Sequence, residues 1–582
     1  MNTELNLHTE LADDIPLLLA QLEKLRVGSL LDEYFPTHGR WQGLSLGQVT
    51  SGWLSYILSE GDHRLSHVQP WAGSRLGVLS GCLGTEVREL DFSDDRLGLI
   101  LDALSDDGRW EGFEQALMGH TLRVYDLSDQ KRVRLDTTTA KSYVSVDEQG
   151  LFQFGHSKDH RPDLAQVKIS LSTLDPLGLP LTTTTVSGER ADDPLYVPEM
   201  KRVQQVLGCT GLSFIGDSKM GALSTRAQMQ ASGQYYLCPL SAVQMPEATL
   251  DGLLEPVWKG EQALTRVEVG TEAVEPASEL IAEGFEVSQT LSATVEGEEV
   301  NWSERRLVIR SLKFAASQTQ GLDERLSKAQ AEIAAFNERG QGKKRWREEA
   351  SLREAVEAVI KRYRVSGLLM VSYHTAVEQR QVRGYGSRPA RVEHDTTVSV
   401  TSTIDPEALE QARRRLGWRV YATNHPLEQL GLEQAVDAYR GAYRIERGFG
   451  RLKGKALSLT PIYLDSDARV TGLIRLLSIG LRVLTLLEFR IRQQLQQSQQ
   501  TLAGLYPGNP KRATAQPTAE MMLRAFRGLI LTQLTFHGQR QIHMTPLNPV
   551  QQRILDLLGL HPELYSDPGR QFAEQGLCLS EP

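Results

Sequence analysis

The 582-residue chain is poor in cysteine, and its four cysteines are widely separated. They are Cys82, Cys209, Cys238 and Cys578. This spacing excludes a disulfide framework and a cysteine-rich zinc site, so we expect a reducing, intracellular protein. The first residues, MNTELNLHTELADD, are polar and acidic, which is unlike an ordinary secretory signal.

The chain also lacks an uninterrupted apolar run of membrane-spanning length. Its most apolar stretch, residues 471–489, contains Arg475, Arg482 and Glu488, so we expect no membrane span. Hydrophobic residues make up 40% of the chain, which is too many for a disordered protein. A chain of this length is expected to form several domains, each with its own buried core.

The chain as a whole has no excess of positive charge, but its charge is unevenly distributed. The chain has 64 Lys and Arg against 73 Asp and Glu, a net charge of −9. Residues 1–110 hold 8 of the cations and 17 of the acids, and the rest of the chain holds 56 of each. Contacts to phosphate dominate nucleic-acid affinity, so a uniformly acidic protein would be a poor candidate. Here the acidity belongs to one end.

Hydrophobic periodicity divides the chain into five parts. Helical spacing begins and ends the chain, alternating strands dominate from about residue 130, and a long mixed segment interrupts the pattern. We expect an α/β protein whose mixed sheet is flanked by helices. The predicted parts are a helical N-terminal domain for assembly or end binding (1–115), a first part of the catalytic core (116–245), a β-rich and helical insertion (246–428), a second part of the core (429–495) and a helical C-terminal region (496–582).

Three carboxylates occupy positions where local physical chemistry disfavours them. Asp136 lies in an alternating strand, where Asp has poor propensity, and Asp217 ends a short apolar strand, where an α/β sheet opens into a crevice. Glu446 lies within an apolar and aromatic face if residues 432–453 form one helix. The other members of that face are Leu432, Val436, Tyr439, Tyr443, Phe449 and Lys453.

Each acid also has a simpler interpretation. Asp136 could be an edge residue beside Arg134, Asp217 could cap a turn, and Glu446 could pair with Lys453. Taken together, two acids on strands and one on a helix suggest a shared metal site. Two Mg²⁺ ions about 4 Å apart support in-line attack on a phosphodiester bond. Such hard cations prefer a few carboxylates together with water and substrate phosphate.

Positive charge is concentrated around Glu446. Residues 436–456 contain six cations and two acids, a balance of +4, interleaved with Tyr439 and Tyr443. Cations and aromatics in this order suit a phosphate backbone, although a charge run is also common on a solvated helix face. The loop that holds Lys158 and Arg161 is either a second phosphate contact or a charged hairpin turn.

These residues resemble those of bacterial insertion-sequence DDE transposases, in the large group with a β-rich insertion and a Tyr-Arg-Glu-Lys signature. Tyr439, Glu446 and Lys453 have the signature spacing, and the segments LDTTT around Asp136 and IGDSKM around Asp217 resemble the first-acid and second-acid strands. One position departs from the signature, because Ala442 replaces its Arg. Arg444 or Arg440 would then have to contact phosphate.

The resemblance implies a ribonuclease-H-like fold and a Mg²⁺-dependent enzyme, with Mn²⁺ able to substitute. It assigns catalysis and metal binding to Asp136, Asp217 and Glu446. It implies cleavage of inverted-repeat DNA ends and joining of 3′-hydroxyls to target DNA by a homodimer or larger synaptic complex on the bacterial nucleoid. The predicted DNA contacts are Tyr439, Arg444, Arg447, Arg451, Lys453, Lys158 and Arg161. Two alternatives remain open, a catalytically silent DNA-binding relative and a nuclease that uses the same acids.

Overall fold

The computed structural model describes residues 6–270, 278–383, 391–536 and 539–566. The chain forms two compact units. The first contains residues 1–238, 291–302 and 438–582, and the second contains residues 239–290 and 303–437. The second unit and the predicted insertion, 246–428, overlap over most of their lengths. The division into five parts stays a prediction.

The N-terminal part of the first unit is helical. Its helices bury apolar faces against one another around the fully buried Trp53 and Trp110. Ser45 and Gln48 form a capping box at the start of the third helix, and Gly61 ends that helix at φ 65°, which favours glycine. The helices are Ile15–Lys24, Val27–Tyr34, Leu46–Glu60, Leu65–Gly73, Leu76–Leu83, the 3-10 helix Glu89–Phe92, Asp94–Leu104 and Asp107–Val124.

A five-stranded mixed sheet forms the core of the first unit. Ala165–Leu174 runs antiparallel to both of its neighbours, whereas the other four strands run parallel to one another. Numbered along the chain, the order is third, second, first, fourth and fifth. The order is that of a ribonuclease-H-like fold, so the expected fold class is confirmed. Across the sheet the strands are Leu179–Ser187, Ala165–Leu174, Arg132–Ser142, Ser213–Ile215 and Tyr235–Pro239.

Helices flank this sheet. The 3-10 helix Asp193–Leu195 leads into Tyr196–Leu207, which packs on the second and third strands. The helix Leu223–Ala231 connects the fourth strand to the fifth along the chain. Tyr443–Lys453 packs on the first strand. A 31-residue helix, Asp467–Gln497, which we name the core helix, packs on the third strand.

The core helix is long and apolar enough to cross a membrane, yet 94% of its most apolar window is buried inside the protein. It is therefore the core helix of a folded domain, as the interrupting charges predicted. One of them, Arg482, is 2% exposed and bonds to Glu114 Oε1 at 2.6 Å. It was the only candidate span in the described part of the chain.

The second unit is β-rich and helical. Part of it is a sheet in which Trp418–Thr423 pairs with Glu298–Ser311, followed by Ser278–Val295 and Thr265–Gly270. A separate hairpin packs on two helices around a core that includes Trp346. The hairpin strands are Leu369–Val382 and Arg391–Ile404, and the helices of the unit are Glu247–Trp258, Leu312–Ala335, Glu349–Tyr363 and Pro406–Arg414.

The chain termini contain a sheet that the helical patterns did not predict. Asn6–Leu11 pairs antiparallel with Ile530–Phe536, which pairs antiparallel with Gln539–Met544. The remaining C-terminal elements are the short strands Leu502–Ala503 and Ala513–Thr514 and the helices Ala519–Arg524, Pro549–Leu558 and Glu563–Ser566.

The helix expected over residues 432–453 is two helices. Leu432–Arg440 and Tyr443–Lys453 are separated at Gly441 and Ala442. A side chain at Gly441 would clash with the guanidinium groups of Arg134 and Arg444. Arg134 donates to the carbonyl of Ala438 beside this break. The three described cysteines are free, and Cys578 lies outside the described residues.

Candidate active site

Asp136 on the first strand and Asp217 just beyond the fourth strand occupy equivalent positions relative to these two neighbouring parallel strands. Arg134 on the first strand pairs with Ile215, the last residue of the fourth strand. Each aspartate follows its member of that pair by two residues. Because parallel strands keep their register and lie about 4.8 Å apart, both carboxylates belong to the same edge of the sheet. The polar end of the fourth strand predicted that Asp217 lies where the sheet opens.

The Asp136 carboxylate is partly buried beside a lysine. Oδ1 accepts a 2.7 Å hydrogen bond from the backbone N–H of Thr137 and a 3.4 Å hydrogen bond from Lys158 Nζ. Burial raises the pKa of Asp136 above its ordinary value, the Lys158 ammonium opposes this shift, and the charge of Asp217 adds to it. The two aspartates therefore repel each other, as carboxylates in one site do.

Asp217 is held by a tyrosine that the sequence analysis did not select. The Tyr196 hydroxyl donates to Asp217 Oδ1 at 2.6 Å, and the Lys219 backbone N–H donates to the same oxygen at 2.8 Å. Burial and then the charge of Asp217 raise the pKa of Tyr196 far above its ordinary value, so the hydroxyl stays protonated and can donate. Tyr196 is 4% exposed.

Asp192 is a further carboxylate near the aspartate pair. It bonds to Lys168 Nζ at 2.7 Å and lies 3.8 Å from Lys158 Nζ. Burial favours a raised pKa, but the hydrogen bond from Lys168 and the charge of Lys158 hold the pKa of Asp192 below its ordinary value. The sequence shows the segment as a helix start, DDPLY, and nothing in that pattern indicates the contact with Lys158.

Glu446 occupies the first turn of the helix Tyr443–Lys453 and is exposed. The prediction of a buried acid within the apolar face of one continuous helix was wrong, because residues 432–453 form two separate helices and Glu446 is exposed. The described contacts do not bring Glu446 to either aspartate.

The helix Tyr443–Lys453 presents two different faces. With about 100° between successive residues, Glu446 and Lys453 lie on one side. Arg444, Arg447 and Arg451 lie on the opposite side. The assignment of these arginines as DNA contacts stays a prediction, with their side chains on another face of the helix from Glu446.

The helix face that carries Glu446 contacts the sheet at the C-terminal end of the helix. Lys453 Nζ lies 2.6 Å from Asp159 Oδ1 and 3.4 Å from the carbonyl oxygen of Thr139, a residue of the first strand. The other face contacts the core helix, where Arg447 and Arg451 bond to Glu488.

The predicted DNA contacts therefore lie in different surroundings. Lys158 and Lys453 lie beside the sheet edge, and Arg161 is exposed and bonds to Asp163 at 2.7 Å. Tyr439 is partly buried near the end of the helix Leu432–Arg440. Arg444 lies 3.6 Å from the buried Asp175, and Arg451 is 8% exposed, bonded to Glu520 as well as Glu488.

Within the described ranges, no three His, Cys, Asp or Glu side chains form a group able to hold a metal ion. The aspartate pair nevertheless has the donor chemistry of a magnesium site, because its ligands are carboxylate oxygens. Its mutual repulsion, which contributes to the raised pKa of Asp136, is relieved by a cation. These residues fit Mg²⁺, and magnesium binding stays a prediction.

No family model matches the chain, and no curated protein matches it. Among the solved structures that match is the cryo-EM structure of the piggyBac transposase synaptic complex with hairpin DNA. The alignment has 9% identity and a TM-score of 0.22, and it covers 50% of this chain and 57% of that one. A likeness this weak supports no statement about function, so the proposal below depends on this protein's own residues.

Proposed function

We propose that this protein is a DNA transposase of an insertion sequence, which cleaves element ends and joins their 3′-hydroxyls to target DNA. The observation that carries the proposal is the placement of Asp136 and Asp217 at equivalent positions, each two residues after the paired Arg134 and Ile215 of adjacent parallel strands in a ribonuclease-H-like sheet. Two carboxylates at one sheet edge can hold hard divalent cations, which serve in-line displacement at phosphorus.

The geometry of the helix Tyr443–Lys453 supports Glu446 as the third acid. Arg134 contacts Ala438 and Lys453 contacts Thr139, so the chain segment runs in the same direction as the first strand. Glu446 precedes Lys453 by about 10 Å along a helix. Asp136 precedes Thr139 by about 10 Å along a strand. We therefore expect Glu446 and Asp136 to lie at the same height along the first strand. Glu446 shares the helix face of Lys453, which contacts that strand.

In this proposal Asp136, Asp217 and Glu446 hold Mg²⁺, or Mn²⁺ in its place. The bound cations would activate the attacking hydroxyl or water and stabilise the leaving oxygen. Tyr196 keeps the Asp217 carboxylate in place by its hydrogen bond, and Lys158 and Lys453 supply positive charge for DNA phosphate at the same edge. No protein nucleophile is required.

The proposed substrate is double-stranded DNA with inverted-repeat ends, handled by a homodimer or larger synaptic complex on the nucleoid. A strand-transfer assay tests the reaction, with labelled DNA that carries the chromosomal flanks of the gene and a supercoiled target plasmid. A transposase joins labelled 3′ ends to the plasmid in Mg²⁺. Cleavage without joined products would identify a nuclease, and DNA binding without cleavage would identify a catalytically silent relative.

A further inference from the structure

A cavity of about 880 Å³ lies on the side of the helix Tyr443–Lys453 that faces away from Glu446. The helix and the core helix form two of its walls. The turn at residues 176–178 and residues 516–518 complete the lining. The volume is within the range of sites that hold small molecules or segments of polymers. This cavity is separate from the aspartate pair, because no residue of that pair lines it.

The lining combines three kinds of side chain that suit nucleic acid. Guanidinium groups bind phosphate, aromatic rings stack on bases, and side-chain amides can bond to base edges. Tyr443 is 57% exposed, and the Arg444 guanidinium lies 5.2 Å from the centre of its ring. The guanidinium groups are those of Arg444, Arg447, Arg451 and Arg492, Tyr443 supplies the exposed ring, and Gln493 supplies an amide.

Carboxylates do not balance the positive charge at this cavity. Glu488 alone contacts three arginines: Arg447 at 2.7 Å, Arg492 at 3.3 Å and Arg451. Glu520 also contacts Arg451, and Asp175 contacts Arg444 together with two arginines of the first strand, Arg132 and Arg134. Six guanidinium groups thus share three carboxylates.

The excess charge has an electrostatic consequence at Arg492. Burial lowers its pKa, the Glu488 carboxylate opposes that shift, and the neighbouring Arg447 and Arg451 add to it. An anion in the cavity would offset this repulsion between like charges. The lining therefore favours a ligand that carries more than one negative charge.

We propose that this cavity binds a phosphodiester segment of single-stranded DNA, with its phosphates on Arg447 and Arg492 and a base stacked on Tyr443. The proposal rests on the proposed function for the identity of the polymer. It assigns the two faces of one helix to different tasks, with Glu446 and Lys453 directed to the reacting phosphate and the arginines directed to a strand outside the metal site.

The test is binding of a fluorescent oligonucleotide of about ten nucleotides to the full chain in buffer with EDTA, where metal-dependent cleavage cannot occur. The double variant Arg447→Gln with Arg492→Gln should weaken binding about 10–100-fold, the size expected when charge-assisted hydrogen bonds are lost. It should also make the slope of log K against log salt concentration shallower by about 1.4, the value expected for two phosphate contacts to a single strand.

Matched controls separate this site from general effects of charge. Arg469→Gln removes a charge from the same core helix at a half-exposed arginine outside the cavity that pairs with Asp102, and it should leave binding unchanged. Tyr443→Ala should weaken binding several-fold, whereas Tyr463→Ala, at a tyrosine that is 71% exposed, should not. Equal binding by the double variant and Arg469→Gln, with equal melting temperatures, would overturn the proposal.

Competitors identify the source of the phosphate. Unlabelled oligonucleotide should displace the probe at concentrations near its Kd, and a nucleoside monophosphate or pyrophosphate should not do so until at least about 100-fold higher. A mononucleotide that competes as well as the oligonucleotide would overturn the strand proposal in favour of a free nucleotide. Glu446→Gln should bind the oligonucleotide normally, so a failure of cleavage and a failure of this site give different results.

Discussion

The hydroxyl of Tyr196 donates a 2.6 Å hydrogen bond to Oδ1 of Asp217. Tyr196 begins the helix Tyr196–Leu207, and Asp217 follows the fourth strand, so this bond joins two layers of the fold at the proposed metal site. Because burial and the charge of Asp217 raise the pKa of Tyr196, its hydroxyl is protonated at neutral pH and donates to one carboxylate oxygen, whose orientation it fixes.

Tyr196→Phe should therefore weaken metal binding without unfolding the protein. Loss of such a supporting hydrogen bond costs about 10–100-fold in metal affinity or activity. The measurement is the Mg²⁺ concentration that gives half-maximal cleavage, which should rise while the rate at saturating Mg²⁺ largely recovers. Tyr125→Phe, at another buried tyrosine, is the control. An unchanged Mg²⁺ dependence would limit Tyr196 to packing.

Asp136→Asn should stabilise the folded protein at neutral pH. Because the pKa of Asp136 is raised in the folded state, the folded state binds more protons than the unfolded state above the ordinary value of 3.8. The unfolding free energy therefore falls as pH rises through the folded pKa. Removal of the charge should raise the free energy of unfolding by roughly 0.5–2 kcal/mol, the usual size of a stabilising substitution. Thermal melts at several pH values measure it.

The gain should disappear below pH 3.8, where Asp136 is protonated in both states. The same variant should lose cleavage. A variant that is less stable than the wild type at pH 7 would show that the contact with Lys158 outweighs the burial of the charge.

Asp14 provides a second pH-dependent contribution, far in the sequence from the proposed catalytic acids. It is 1% exposed and accepts a 2.6 Å hydrogen bond from Ser59, and burial raises its pKa from 3.8 to about 6. Its contribution to folding is therefore lost as pH rises from 3.8 to about 6. Asp14→Asn should stabilise the protein above pH 6 by up to about 3 kcal/mol.

The exposed Asp129 gives the matched control, and Asp129→Asn should show no pH-dependent change in melting temperature. If the melting temperatures of Asp14→Asn and the wild type differ by the same amount at pH 3.5 and at pH 7.5, the titration of Asp14 is contradicted.

The buried pair of Arg482 and Glu114 should dominate the attachment of the N-terminal helices to the core helix. Arg482 also donates to the carbonyls of Pro180 and Leu181 on the third strand, at 3.0 and 2.9 Å. Arg482→Met leaves Glu114 buried with Arg202 alone, and it should cost about 3–5 kcal/mol in urea unfolding.

Addition of Glu114→Gln to Arg482→Met should cost less than the sum of the two single changes, because the second change removes the uncompensated charge. Arg469→Met, at a half-exposed arginine of the same helix that pairs with Asp102, should cost no more than about 1 kcal/mol. Additive costs would show that the two side chains do not interact.

Local patterns predicted the part of the site that lies on strands. Asp136 and Asp217 were identifiable because each breaks the expected composition of a strand, and parallel register then brings them to one edge. Tyr196 and Asp192 were missed because their contacts join segments that only the tertiary fold brings together.

Helix periodicity failed at Glu446 because it assumed a continuous helix. The structure instead has two helices, Leu432–Arg440 and Tyr443–Lys453, and a side chain at Gly441 between them would clash with Arg134. The terminal sheet was missed for a related reason. Its first strand, Asn6–Leu11, pairs with a strand from the other end of the chain, and the paired residues Leu11 and Ile530 are 519 positions apart, so no local pattern shows the register of that pairing.

The most direct test of the central claim is cleavage by Glu446→Gln. The wild type and the variant are compared on DNA that carries the flanks of the gene, in Mg²⁺ and in Mn²⁺, with binding to the same DNA measured in EDTA. The substitution keeps the size of the side chain and removes its charge, and Glu433→Gln on the preceding helix, at another exposed glutamate, is the control. We predict that Glu446→Gln binds the DNA normally and cleaves it at least about 10³-fold more slowly with either metal. Cleavage at the wild-type rate would contradict the assignment of Glu446 and with it the three-acid metal site.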